Sequence, residues 1–391
     1  MYRSKEFLSL LFSWFFSALG FSTLLPYLSL FLKETFELNI SQIGIFFLFT
    51  AVFRGIIQVF SGEISDLVGR KNLLLYSFFL RSFFLLISIL LIYFYKNTTV
   101  IILTIALSYI FASILQPIAS AALADRFKDE TFLHAFSYIR VAGNLAWGLG
   151  PILSASLIQK GYESVFLLSS ISSILSGLII KFYFFDLDLF KNIKTIREPI
   201  RYIFKNHFFL LFCFFTFLVF ITVAQMFSSL SIYYSEEKKF NKEMIGYIYS
   251  VNGLTVCLLQ IPILRLIQNR LSSFLAMSLG AFFYGLGYFS LPYLKEIYEF
   301  YLMLFLISLG EILIIPLTQK AVTTLAPENL MGRYMGFFSM IAVAGWSLGP
   351  YLGGTIIQMN QNYSTSWIQI SLFSFAGGLG YILLNQISKK N

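Results

Sequence analysis

Charge is scarce in this chain: Asp, Glu, Lys and Arg make up 12% of its 391 residues, against about 25% in soluble domains. Hydrophobic residues reach 58% and aromatics 19%, more apolar surface than a compact soluble fold of this size can hide, so the class is a polytopic membrane protein. Cysteine is nearly absent. Cys213 and Cys257 lie in apolar runs without CxxC spacing, which excludes a disulfide framework and a cysteine metal site. The two histidines, His134 and His207, have no neighbouring Cys or carboxylate cluster, so no metal site is expected. There is no GxxxxGK[ST] loop to hold ATP as a direct driver. Neither Ser-His-Asp nor HExxH patterns occur, and most polar loops are too short to house a catalytic site. No enzyme activity and no cofactor are expected.

What is present is a succession of apolar runs. A bilayer core of about 30 Å takes roughly 20 apolar residues per helix, and twelve such runs begin near residues 7, 43, 72, 100, 134, 163, 207, 244, 272, 299, 332 and 364. The first, over residues 7–32, is too long for a signal-peptide core and lacks a small-residue cleavage site, so it reads as a span.

The net charge of +9 sits in short loops, not on one soluble face, and therefore reports topology and not nucleic-acid binding. Of the 28 Lys and Arg, Lys33, Lys96, Lys160, Lys238, Lys239, Lys242 and Lys295 fall on one side, and Arg54, Arg81 and Arg140 fall within spans. The remaining eighteen share the side of the termini. Short cytoplasmic loops carry the Lys/Arg excess, which puts both termini in the cytoplasm.

The two halves of the chain echo one another. "AWGLGPIL" (146–153) and "GWSLGPYL" (345–352) align with Trp147 on Trp346 and Pro151 on Pro350, and the same offset pairs Pro117 with Pro316. At a slightly larger offset Gly44 pairs with Gly246 and Gln58 with Gln260. The expected fold is all-α, twelve transmembrane helices in two six-helix pseudo-symmetric halves, residues 1–185 and 207–391, joined by a cytoplasmic linker over 186–206. Parallel repeats of this kind are an architecture of rocking transporters.

The polar stretch "GEISDLVGRK" (62–71) separates the second and third spans. Its glycines permit a tight turn between closely approaching helix ends, and Asp66 and Arg70 stand four apart, the spacing of a pair on one helical turn. It resembles the loop signature G-x-x-x-D-R-x-G-R-R/K of the major facilitator superfamily: Gly62, Asp66, Gly69, Arg70 and Lys71 match, and Leu67 stands where that family usually has a base. The resemblance implies that Asp66 faces the amino end of the eleventh span, holding the cytoplasmic side closed until the halves rock. A solvated turn obeying the positive-inside rule is the plainer alternative.

Asp125, in "SAALADRF", resembles the acid that partners Arg70's counterpart in drug-efflux members. It could equally pair with Arg126. In the fifth span, "YIRVAGNLAWGLGP" places Tyr138, Arg140, Gly143, Asn144, Gly148, Gly150 and Pro151 in a pattern resembling the signature of drug:proton antiporters, with Gly349 and Pro350 as counterparts in the eleventh. Paired glycines after the proline are missing in the fifth span and present in the eleventh as Gly353 and Gly354. Small residues also let helices pack backbone to backbone, so packing alone would account for the glycines. Arg140 and Asn144 require interior partners, since lipid exposure is costly.

Glu311, in "ISLGEILIIPL", is a carboxylate deep in the tenth span. An intramembrane charge costs roughly 2.5–3.5 kcal/mol, and taking up a proton removes it, which is the property proton coupling uses. A structural acid paired with Arg54, Arg81 or Arg140 is the alternative. The resemblance extends to "GRYMGFFSM" (332–340) just beyond. Gln225, Asn252 and Gln260 are candidates for a substrate cavity, and the aromatic load could line a cavity for greasy or cationic solutes or simply face lipid.

Together these features lead to the expectation of a monomeric secondary transporter in the cell membrane that exports a small hydrophobic or amphiphilic solute against protons, the proton gradient being its energy source. Its partners are then solute, protons and bilayer, with no nucleic acid. Proton-coupled uptake or facilitated transport of a sugar, amino acid or other metabolite is the alternative on the same fold. A lipid flippase or membrane enzyme is the more remote one.

Overall fold

A computed structural model describes residues 5–95, 97–126, 129–184, 201–268, 270–327 and 330–389. They contain α-helices and short 3-10 turns, and no strand occurs among the described residues. In chain order the helices are α1 Lys5–Phe36, α2 Ile40–Val68, α3 Arg70–Phe94, α4 Thr98–Ala112, α5 Leu115–Arg126, α6 Asp129–Leu157, α7 Tyr162–Tyr183 and α8 Arg201–Lys205. They continue as α9 His207–Val223, α10 Ser229–Glu236, α11 Lys242–Gln268, α12 Ser273–Ser290, α13 Ile297–Leu325, α14 Met331–Asn360 and α15 Tyr363–Ser388. Among the described residues, twelve helical stretches are long and apolar enough to cross a membrane, the number and order the sequence predicts. Most of the expected linker, and the side chains of Asp66 and Asp125 with position 62, lie outside the described residues.

Two of the twelve spans are interrupted, for different reasons. The fourth breaks between α4 and α5 at Ser113 and Ile114, three to four residues before Pro117. Proline has no N–H to give the carbonyl four residues back, and that carbonyl, Ser113 O, accepts instead from Gln58 Nε2 of α2 at 3.3 Å. The seventh breaks without proline or glycine. Ala224–Phe227 tightens to a 3-10 turn and Ser228 leaves helical geometry at φ −129°, ψ −89°. Gln225 spans the break: its Nε2 donates to Ile221 O at 2.9 Å and Gly349 O at 2.6 Å, and its Oε1 accepts from Ser229 Oγ at 2.9 Å.

By backbone proximity the chain divides into two compact units. One holds Met1–Phe36, Phe49–Lys194 and Phe240–Leu254; the other holds Glu37–Leu48, Thr195–Lys239 and Thr255–Asn391. In the first, α1 packs between α6 and α7, and α3 packs on α7 and α4. In the second, α12 packs on α15 and α13, and α9 packs on α14 and α15.

Within lipid, apolar burial does not by itself hold helices together, so packing and hydrogen bonds must do so. Serine and threonine hydroxyls reach backbone carbonyls of neighbouring helices in both units. Ser22 donates to Ala146 O, Ser154 to Thr23 O, Ser173 to Phe78 O and Ser176 to Ser13 O. In the second unit Ser278 donates to Gly378 O, Ser374 to Ala281 O and Thr222 to Ile370 O.

Candidate functional site

The loop signature is a one-residue turn. α2 ends at Val68, α3 begins at Arg70, and Gly69 between them has φ +88°. That positive φ favours glycine. Asn72 Nδ2 donates back to Val68 O at 2.9 Å, capping the end of α2. The turn therefore separates Asp66 and Arg70 onto different helices. Their spacing of four is thus not one continuous helical turn. Arg70 and Lys71 stand in the first turn of α3.

The glycines of the fifth and eleventh spans mark close helix crossings. In α6, a Cβ on Gly143 would meet Trp14 Nε1 of α1 at 2.8 Å, and one on Gly150 would collide with Ser22. Gly148 faces Gly253 and Leu254 of α11, and a Cβ on it would lie 3.0 Å from Leu254 N. In α14, Gly345 lies against Phe220, and Gly349 against Ala224 and Ile221 of the seventh span. Gly353 abuts the Gln225 side chain, while a Cβ on Gly354 would meet Ile40 O at 2.7 Å. A Cβ on Gly44 of α2 would collide with Tyr351 Cα and meet Pro350 O at 2.8 Å. Pro151 is buried, with its carbonyl against Gly246. Each motif glycine named here thus has a packing partner. Arg140 and Asn144 are half-buried.

A polar cluster that the sequence did not announce gathers where α11 begins. Lys242 Nζ contacts Glu34 Oε2 at 2.6 Å and lies 4.1 Å from the Tyr162 ring centre. Tyr162 OH donates to the same Glu34 oxygen at 2.8 Å. Tyr27 OH donates to Lys242 O at 2.9 Å, and Gln159 Nε2 donates to Glu243 Oε1. These partners are 84 to 215 residues apart, so no local pattern betrays them. Lys242 reads in sequence only as one loop base among several.

Glu311 stands at the midpoint of α13 and is half-buried. α12 and α13 cross closely beside it. A Cβ on Gly310 would meet Gly280 O and Tyr284 Cδ2, both at 2.8 Å. That approach brings the Tyr284 hydroxyl into electrostatic range of the Glu311 carboxylate. Gln225 is fully buried with its amide engaged as described, Asn252 is 6% exposed and Gln260 half-buried. No group of three or more His, Cys, Asp or Glu that could hold a metal occurs among the described residues.

Twelve apolar helices with glycine crossings among the described residues are those of a polytopic α-helical membrane protein. Residues 10–350 match the Major Facilitator Superfamily, and the chain belongs to that family. It is 23% identical to a Na(+), Li(+), K(+)/H(+) antiporter of Planococcus maritimus, over 95% of this chain and 93% of that one. It is 20% identical to the multidrug resistance protein MdtH of Blochmanniella pennsylvanica, over 93% and 89%. Among solved structures it resembles a point mutant of the nucleoside transporter NupG, with a TM-score of 0.81 and 14% identity over 97% of this chain and 99% of that one. At that identity the likeness shows the fold alone.

Proposed function

We propose that the protein exports a small hydrophobic or amphiphilic solute in exchange for protons, by alternating access of two six-helix halves, residues 1–185 and 207–391. The observation that carries this reading is Glu311 at the centre of α13 beside Tyr284. A carboxylate in low dielectric is costly when charged and cheap when protonated. It therefore gives up or takes a proton whenever its access to water changes. The antiporter and multidrug relatives, similar along nearly the whole chain, support exchange and export.

In this reading Gly62, Asp66, Gly69, Arg70 and Lys71 form a cytoplasmic latch with Asp125, and Asn252 and Gln260 face the solute during the cycle. Gln225, with its amide already engaged, holds the break in the seventh span. The protein acts as a monomer in the cell membrane with both termini in the cytoplasm.

The test is Glu311→Gln, which keeps size and hydrogen bonding while removing ionisation. The variant should fold and exchange solute down its gradient, but it should not drive solute uphill in vesicles with an imposed pH difference. If Glu311 were one partner of a buried ion pair, the same change would instead cost about 3–5 kcal/mol and lower the melting temperature sharply. Uphill transport at the unaltered rate would end the proposal.

A further inference from the structure

In the first unit, two arginines from adjacent spans stand over one aromatic ring. The Arg54 Cζ of α2 lies 5.7 Å from the Phe21 ring centre, and the Arg81 Cζ of α3 lies 5.9 Å from it. The Phe21 ring is itself packed between Tyr109, at 5.0 Å, and Trp147, at 5.8 Å. Tyr109 is the titratable group facing both guanidiniums; no carboxylate acts on either among the described residues.

The two arginines differ in how they are held. Arg81 is 2% exposed and well provided for: Nη1 donates to Ser17 O at 3.2 Å and Nη2 to Ser169 Oγ at 3.1 Å. These bonds tie α3 to α1 and α7, which is a structural task. Arg54 has no such task. Its Nε is buried and donates to nothing, and no hydrogen bond or ion pair involving Arg54 is found among the described residues. An intramembrane guanidinium that no carboxylate offsets is costly. Buried N–H donors are normally satisfied, and the exceptions call for an explanation. A planar donor fork left open in an aromatic-walled, electropositive place suits an anionic oxygen group, which guanidinium binds through parallel N–H···O bonds.

We infer that Arg54, with Arg81 and Tyr109 behind it, binds the anionic head of the transported solute, a carboxylate or phosphoryl group whose apolar body lies along Phe21 and Trp147. The inference rests on the transport reading above and narrows its amphiphilic solute to an anionic one. An anion there would also neutralise an intramembrane guanidinium, so that binding and neutralisation are one event.

The test is equilibrium binding to the purified full-length chain in phosphatidylcholine nanodiscs with no pH gradient, so it does not depend on Glu311 or on net transport. Probes are 4-phenylbutyrate, decanoate and phenylphosphonate, each beside its neutral amide or ester. At least one acid should bind and raise the melting temperature where its neutral partner does not. Arg54→Gln should weaken that acid tenfold or more and Arg54→Lys by less. Because Arg54 has no hydrogen bond to lose among the described residues, the variants should fold. Equal binding of acids and neutral partners, no binding by any acid at millimolar concentration, or unaltered affinity in Arg54→Gln would overturn the inference. Repeating the titration in phosphatidylglycerol nanodiscs separates the two sources of an anionic head. If that lipid stabilises the protein through Arg54 and no soluble acid does, the solute assignment fails. Anion binding that persists while pH-driven export is absent would instead count against the proposed function alone.

Discussion

Gly253→Ala should open the contact between α6 and α11. A Cβ at Gly253 would stand 2.5 Å from Gly148 Cα and closer still to Gly148 N and the Trp147 carbonyl carbon. These are backbone atoms, so no rotamer change relieves the overlap. Ordinary contact begins at 3.4 Å, so the helices must part by roughly 1 Å to admit one methyl group. Overpacking of this kind costs about 1–3 kcal/mol, which disfavours the packed arrangement roughly 5- to 150-fold. Spin labels at Lys160 and Met244, both exposed, in a chain with Cys213 and Cys257 replaced by Ala, would read the separation directly. The distance distribution should broaden to longer values and the melting temperature should fall. Gly336→Ala is the control, because nothing lies within 4 Å of its Cβ; there alanine should be neutral or add about 0.5–1 kcal/mol of helix stability. Identical distances and melting for Gly253→Ala and the parent chain would refute the reasoning.

Two further outcomes are expected. Gln58→Leu strips Ser113 O of its donor and should cost about 1–3 kcal/mol in thermal unfolding. Adding Pro117→Ala restores a backbone N–H and should recover much of that loss, and a strictly additive double variant would contradict the assigned role. Glu34→Gln removes a half-exposed ion pair worth about 0.2–1 kcal/mol, so its melting penalty should shrink as salt rises; a penalty indifferent to salt would mean that the charge is not what the carboxylate contributes.

The number of spans, the turn at Gly69 and the tight glycine faces were legible because each is local. A run of roughly 20 apolar residues, a residue tolerant of positive φ and small residues on one helix face all write themselves into neighbouring letters. The break at Ala224–Phe227 was not legible. "TVAQMFSS" holds neither glycine nor proline, and what fixes the break is Gln225 reaching Gly349 O, 124 residues away. Gln225 suggested a cavity residue because a polar side chain in an apolar run looks spare until its partners are seen. The reverse applies to Arg81, whose sequence invited a carboxylate partner and whose structure supplies a serine carbonyl, a hydroxyl and a ring. Helix facing decides such matters, and a uniformly apolar span does not encode its facing strongly.

The hydroxyl-to-carbonyl bonds that join α1 to α6 and α7, and α12 to α15, contain no group that titrates in the physiological range. A protein working between compartments of unequal acidity has this mortar on both faces of the gradient at once. Acidifying one compartment leaves these bonds at full strength, so the proton exchange proposed for Glu311 would not loosen the wall in which it stands.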